Sequence, residues 1–212
     1  MSAKTLYSNE KCVDTNAISE IAKALKEGGL AVFPTETVYG IGVDAFNESA
    51  IKALYEKKQR PYDKPLLMHI NGIEMAESVA ILDDRTRELI KRFTPGPLTL
   101  VVKRKSDVPS IAVSGGDTVG LRFPSNNNFI EISKAFGGPI AATSANLSGA
   151  KSAIDANGLD TVKDVADIIL DGGECELGLE STIVSLVGEV PRILRQGSFP
   201  KEKIEEVLGK CD

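Results

Sequence analysis

Tryptophan is absent from this chain of 212 residues, and histidine occurs once, at position 69. One histidine excludes any metal site built on two, and it would force a Ser-His-Asp triad through His69. Cysteine is scarce. Cys12, Cys175 and Cys211 make no CxxC pair and no zinc spacing, so they read as reduced thiols of a reducing compartment. No apolar run approaches the ~20 residues of a membrane span, and the opening MSAKTLYSNEK has no apolar leader core. These absences lead to the expectation of a soluble, cytoplasmic protein with no membrane partner. No GxxxxGK[ST] occurs, which excludes a P-loop. Internal repeats and low-complexity linkers are lacking too, so one domain is expected over residues 1–212.

What is present is ordinary in amount. Hydrophobic residues make up 42% and charged residues 26%, which suits a globular core without staples. Lys and Arg number 25 against 30 Asp and Glu, a net charge of −5. That balance disfavours nonspecific coating of nucleic acid but leaves room for a local basic pocket.

Periodicity supplies the elements. Ile18, Ile21, Ala22 and Leu25 predict an amphipathic helix over 17–27, with Asn16 as its cap and Gly28-Gly29 behind it. Leu30 to Phe33 reads as a buried strand stopped by Pro34. Asn47 predicts a second helix start, with Phe46 and Ile51 as a hydrophobic staple, and the helix must end before Pro61. Further strands are predicted at 66–70, 98–103, 119–123, 140–142 and 168–170. Helices are predicted from Asp83 or Asp84, over 126–136, and over 201–208. Residues 181–186 and 192–194 read as a β-hairpin. Strands and helices alternate with hairpins mixed in. The pattern indicates a mixed α/β sheet with helices packed on it, not a pure parallel sheet.

Gly40-Ile-Gly42-Val-Asp-Ala45 matches the loose GxGxxA dinucleotide pattern, but the context is wrong. Pro34 to Tyr39 separates it from the strand before, and the helix cap comes later, at Asn47. The segment reads as a glycine-relaxed bend near the sheet.

Other segments carry more chemistry. Lys57-Lys58-Gln59-Arg60-Pro61-Tyr62-Asp63-Lys64-Pro65 gathers four cations at a helix end. They are either solvated charges favoured by the helix dipole or a phosphate clamp on a proline-stiffened loop. Pro139-Ile-Ala-Ala-Thr-Ser-Ala-Asn-Leu-Ser-Gly149 ends a buried strand in small hydroxyl and amide groups, a common ligand position in α/β sheets. Asp171-Gly-Gly, Gly178-Leu-Glu-Ser-Thr182 and Thr35-Glu-Thr37 repeat that theme. His69 lies in an apolar strand and fits either a core imidazole or a ligand donor. Arg122, within Val119-Gly-Leu-Arg-Phe-Pro, needs an anion, and Glu180 is its expected partner.

In order along the chain these motifs are PTETVYGIG (34–42), KQRP and KPL with His69 (58–69), TPGPLT (94–99), TVGLRFP (118–124), PIAATSANLSG (139–149), DGG with GLEST (171–182) and ILRQG (193–197). Together they resemble the YrdC-like family of L-threonylcarbamoyladenylate synthases, across about residues 12–198. The resemblance implies a twisted, open mixed sheet around a concave basic cavity. It implies condensation of L-threonine, bicarbonate and ATP to threonylcarbamoyl-AMP and pyrophosphate, with Mg²⁺ accompanying ATP. The product would pass to tRNA threonylcarbamoyl-transfer proteins for the t6A modification of tRNA, and tRNA contact is a further possible role.

By the same resemblance Lys58 and Arg60 are the catalytic clamp. ATP would be held by Lys58, Arg60, Lys64, Thr118, Ser144, Asn146, Ser152 and Arg195. Threonine and its carbamoyl group would be held by Thr35, His69, Arg122, Ala142 and Ser181, and no protein side chain is assigned to the metal. Lys64 stands where many members carry Asn, and Thr143 where many carry Pro. Because the sequence stops at Asp212, the second C-terminal domain of longer members is expected to be absent. Two other readings remain: a related carbamoyl-adenylate-forming enzyme, and a non-enzymatic double-stranded RNA-binding module. The chemistry suits the residues, since a carbamate is itself the nucleophile and the difficulty is to bring two anions together. At ~4 Å and an effective dielectric of about 20, each unit repulsion costs about 4 kcal/mol, which fixed cations must cancel.

Overall fold

Side-chain caps set where most helices begin. The structure, a computed structural model, describes residues 3–212. Helix α1 (Thr15–Lys26) is capped by Asp14, whose carboxylate accepts from the amides of Asn16 and Ala17. The cap is therefore Asp14 and not Asn16, because the shorter reach from Asp14 satisfies two free amides at once. Asn47 caps α2 (Glu48–Lys57) through Ala50 N, as its position predicts. Phe46, the other half of the expected staple, stands 44% exposed while Ile51 is buried, so the cap rests on the Asn47 amide. Asp83 caps α4 (Asp84–Phe93), Asn126 caps α5 (Asn127–Phe136), and Gly137 ends α5 in the left-handed region at φ 83°. Helix α3 (Ile73–Val79) was not expected. It is seven residues long, starts at Gly72 without a side-chain cap, and so leaves little trace in sequence. Helix α6 (Lys201–Leu208) closes the chain as expected.

The strands are β1 (Lys4–Tyr7), β2 (Ala31–Phe33), β3 (Gly40–Asp44), β4 (Leu67–His69), β5 (Gly96–Lys103), β6 (Thr118–Phe123), β7 (Ile140–Ser144), β8 (Ile168–Asp171), β9 (Thr182–Ser185) and β10 (Arg192–Arg195). They form one sheet in the order β1-β8-β2-β3-β7-β4-β6-β5-β9-β10. Parallel pairs (β1/β8, β2/β8, β4/β6, β5/β9) are interspersed with antiparallel ones, so the sheet is mixed. The hairpin at 182–195 is β9/β10. Strand β3 corrects the expected bend at 40–45. Its glycines fit because the neighbouring chains come close: a Cβ on Gly42 would lie 2.7 Å from Ile140 Cγ2 and 2.9 Å from Ala142 Cβ.

Successive residues on each strand serve opposite faces. Ala31 and Phe33 of β2, and Ile140 and Ala142 of β7, pack under α1 and α5 with Ile21, Leu25, Phe129 and Ile132. Val32 and Ala141 point into the larger core, shared with Ile51 and Leu54 of α2 and Leu89 of α4. Helices α1 and α5 pack over the half of their face formed by β8, β2, β3 and β7. Beyond them, the same face of β4, β6, β5, β9 and β10 is left concave.

Gly42→Ala is expected to lower the unfolding free energy by about 1–3 kcal/mol, the usual cost of overpacking. A urea titration should show the midpoint fall with an unchanged slope.

Candidate functional site

Alternation along the open strands puts polar side chains on the floor of that hollow. Thr118, Gly120 and Arg122 of β6, Leu67 and His69 of β4, and Ala142 and Ser144 of β7 line a cavity of about 510 Å³. The register places His69 beside Arg122 and Leu67 beside both Gly120 and Ala142. The loop after β2 adds Thr35, Thr37 and Tyr39, the loop after α2 adds Arg60, Asp63 and Lys64, and the far wall is Glu180, Ser181, Leu194 and Arg195. Four cations, Arg60, Lys64, Arg122 and Arg195, face two carboxylates, Asp63 and Glu180, so the wall is basic in a protein that is acidic as a whole.

Arg122 is 2% exposed. Its Nη2 donates to Glu36 Oε1 at 2.7 Å, and Glu36, 4% exposed, accepts from Ser125 N at 3.2 Å through its other oxygen. The expected partner, Glu180, is engaged elsewhere: it accepts from Arg195 at 3.1 Å and from Ser152 at 2.9 Å. Glu36 wins because the turn after β2 holds it against the cavity floor, while Glu180 sits at the half-exposed rim. Arg122 Nη1 is buried and has no hydrogen-bond partner among the described residues. A buried guanidinium donor costs free energy unless something accepts from it.

Burial and the Arg122 charge push the His69 imidazolium down to about 3, so the ring is neutral near pH 7. It meets Phe33 and Phe129 edge-on, at 6.0 and 5.8 Å, where the helix-covered half of the face gives way to the hollow. Thr35 Oγ1 donates to Val38 O at 2.6 Å and lies 2.8 Å from Thr37 Oγ1, which locks the turn that carries Glu36. Ser181 Oγ lies 2.8 Å from Thr99 Oγ1, and Arg195 clamps the Ser181 carbonyl through Nε and Nη2 at 3.1 and 2.8 Å.

Three of the expected site residues stand behind the wall. Lys58, 1% exposed, donates to Asn146 Oδ1 at 3.1 Å, and Ser144 Oγ donates to the same oxygen at 2.7 Å. Ser152 reaches the cavity only through Glu180. The other ten expected residues are in the lining. Glu36 and Thr37 were expected only as part of a polar strand end, and Tyr39 only within a motif, with no site role assigned to any of them. Tyr39 Oη donates to Gly173 O at 2.7 Å and accepts from Gly172 N at 3.0 Å, fastening the Gly172-Gly173 turn to the head of β3.

Residues 23–197 match the sequence profile of Sua5, YciO and YrdC proteins, described as "Telomere recombination". The chain belongs to the Sua5/YciO/YrdC family. It is 42% identical over 188 residues to a Pyrococcus abyssi protein named threonylcarbamoyl-AMP synthase, covering 88% of this chain and 55% of that one. A Mycobacterium tuberculosis protein named putative threonylcarbamoyl-AMP synthase is also 42% identical, over 88% of this chain and 86% of its own. The crystal structure of P. abyssi Sua5 complexed with L-threonine superposes with a TM-score of 0.94 at 38% identity, over 100% of this chain and 62% of that chain. The chain thus spans little more than half the length of the first of these relatives. Among the described residues, no helix is long and apolar enough to cross a membrane.

Behind the cavity wall Lys58 holds its proton loosely. Burial and the charges of Arg60 and Lys64 push its ammonium down to about 8. Between about 8 and the ordinary lysine value the unfolded chain binds more protons, so this group's share of stability rises with pH in that window. Urea titrations between about pH 8 and pH 10 are expected to show the unfolding free energy rising with pH. Lys58→Met should flatten that profile.

Proposed function

We propose that this chain condenses L-threonine, bicarbonate and ATP to L-threonylcarbamoyladenylate and pyrophosphate, supplying the t6A modification of tRNA in the cytoplasm. The observation that carries it is Arg122 Nη1, a buried donor without a partner on the floor of a cation-lined cavity. The names of the relatives support the same reaction.

Threonine enters with its carboxylate on Arg122 and the rest of the molecule between His69, Thr35 and Ser181. ATP lies with its phosphates toward Arg60, Lys64 and the Lys58–Asn146–Ser144 relay, and with its nucleoside toward Thr118, Ser152 and Arg195. The threonine nitrogen, as the free amine, bonds the bicarbonate carbon while a C–O bond breaks; water leaves, its proton coming from the amine, and a carbamate results. A carbamate oxygen bonds the α-phosphorus as the bond to the leaving pyrophosphate breaks. The protein holds the two anions in line and offsets their repulsion. A neutral His69 suits this scheme, because the nucleophile arrives already ionised and needs no protein base.

Among the described residues no three His, Cys, Asp or Glu side chains gather as a metal cage. Mg²⁺ accompanying ATP would supply charge neutralisation at the phosphates, beside Arg60 and Lys64. The transferases that consume the adenylate are its expected protein partners.

Pyrophosphate release from ATP, Mg²⁺ and bicarbonate is expected to require threonine, and release that ignores its omission would overturn the assignment. Arg60→Ala should weaken ATP binding by roughly 1.5–3 kcal/mol, as for a charged hydrogen bond. Arg122→Ala should weaken threonine binding more than ATP binding, and equal losses would contradict the division of the cavity.

A further inference from the structure

The loop that brings Arg60 and Lys64 to the cavity has little regular structure of its own. Lys58 ends α2, Gln59 takes a left-handed backbone at φ +52°, and two prolines follow within the next six residues. Left-handed backbone at a residue other than glycine persists only where its surroundings over-determine it. Here the surroundings converge on one side chain, Tyr55 of α2, which is fully buried. Its carbonyl accepts from Arg60 N at 2.9 Å. Its hydroxyl donates to the Lys64 carbonyl at 2.9 Å, and Arg60 Nε donates to that same carbonyl at 3.0 Å. Arg60 Nη2 closes the arc on Pro65 O at 2.8 Å. The Tyr55 ring stacks on Tyr62 with centroids 4.9 Å apart and planes at 19°, covering the loop from the outside. Arg60 therefore spends Nε and Nη2 on its own loop, and Nη1 makes no such bond among the described residues.

Resting on the functional reading above, we infer that Tyr55 is a positioning residue of the phosphate clamp: one hydroxyl on a rigid helix fixes the Lys64 carbonyl, and through it both the guanidinium of Arg60 and the ammonium of Lys64. Free of this tether, the Lys64 carbonyl would turn to water, and Arg60 would lose the anchor that aims its free nitrogen. Threonine, held by Arg122, His69 and Thr35 on other elements, does not depend on Tyr55.

Tyr55→Phe deletes the hydroxyl and keeps the ring, the stack and the buried volume, so the fold should survive. Calorimetric titrations with ATP and with threonine, together with steady-state pyrophosphate release, separate the possibilities. The expected result is an ATP dissociation constant and an ATP KM raised about tenfold, as for one lost hydrogen bond to the clamp. The kcat at saturating ATP should stay within about twofold, and threonine affinity should be unchanged. Unaltered ATP affinity would overturn the inference. Equal weakening of both ligands would overturn it too, since that is what a purely structural role gives. Wild-type protein that binds ATP but releases no pyrophosphate with threonine would sink the functional reading and leave the ATP comparison to decide the role of Tyr55. Wild-type protein that binds no ATP would sink both.

Discussion

The structure depends on keeping a guanidinium charged inside a sheet. Arg122 has lost its water; Glu36 accepts from its Nη2 at 2.7 Å, and Thr37 Oγ1 lies 3.5 Å from the same nitrogen. The desolvation cost of such a pair is several kcal/mol per ion and is met only where geometry and extra hydrogen bonds are good. Much of the surrounding architecture supplies that geometry. The Thr35–Thr37 turn presents Glu36, Ser125 N holds the second carboxylate oxygen, and Leu177 N donates to the Glu36 carbonyl from the segment that leads to Ser181. Of the five N–H donors of the fork, both on Nη1 are left without a partner among the described residues, so the pair is not closed on itself.

The second constraint is uneven coverage of one sheet face. Two helices pack over β8, β2, β3 and β7, and the remaining strands curve away with small or polar groups at their centre. Gly120 and Thr118 can occupy that floor because no helix presses on them, and Ala142 lies where the helix-covered half ends. His69 sits on the boundary, with two phenyl rings on one side and the hollow on the other. Its low proton affinity follows from that boundary position, because water is excluded from one side and a guanidinium stands on the other.

Much of this was legible in the sequence because it is local. The cap at Asn47, the helix starts near Asp83 and Asn126, the stop at Gly137, the β9/β10 hairpin and the period of α1 all arise within a few residues of their signals. The ordered motifs also identified ten side chains that do share one cavity. Contacts between distant segments were not legible. Glu36 and Arg122 are 86 positions apart, and nothing in either segment chooses Glu36 over Glu180. Strand β3 was hidden because its glycines are justified by Ile140 and Ala142, a hundred residues away, and not by any β propensity of their own. Lys58 was expected at the wall and lies one side chain behind it, a depth that only the packing of Asn146 decides.

That depth ties the ligand to the solvent's acidity in a second way. An amine whose proton is loosely held in the empty protein must hold it more firmly once phosphate oxygens stand nearby, since linkage works in both directions. On the proposed function, each nucleotide that enters in mildly alkaline solution would therefore draw hydrogen ions from the medium as it binds. The heat of binding then carries the ionisation enthalpy of whatever buffer surrenders them, so the hidden lysine leaves a calorimetric signature although it never touches bulk water.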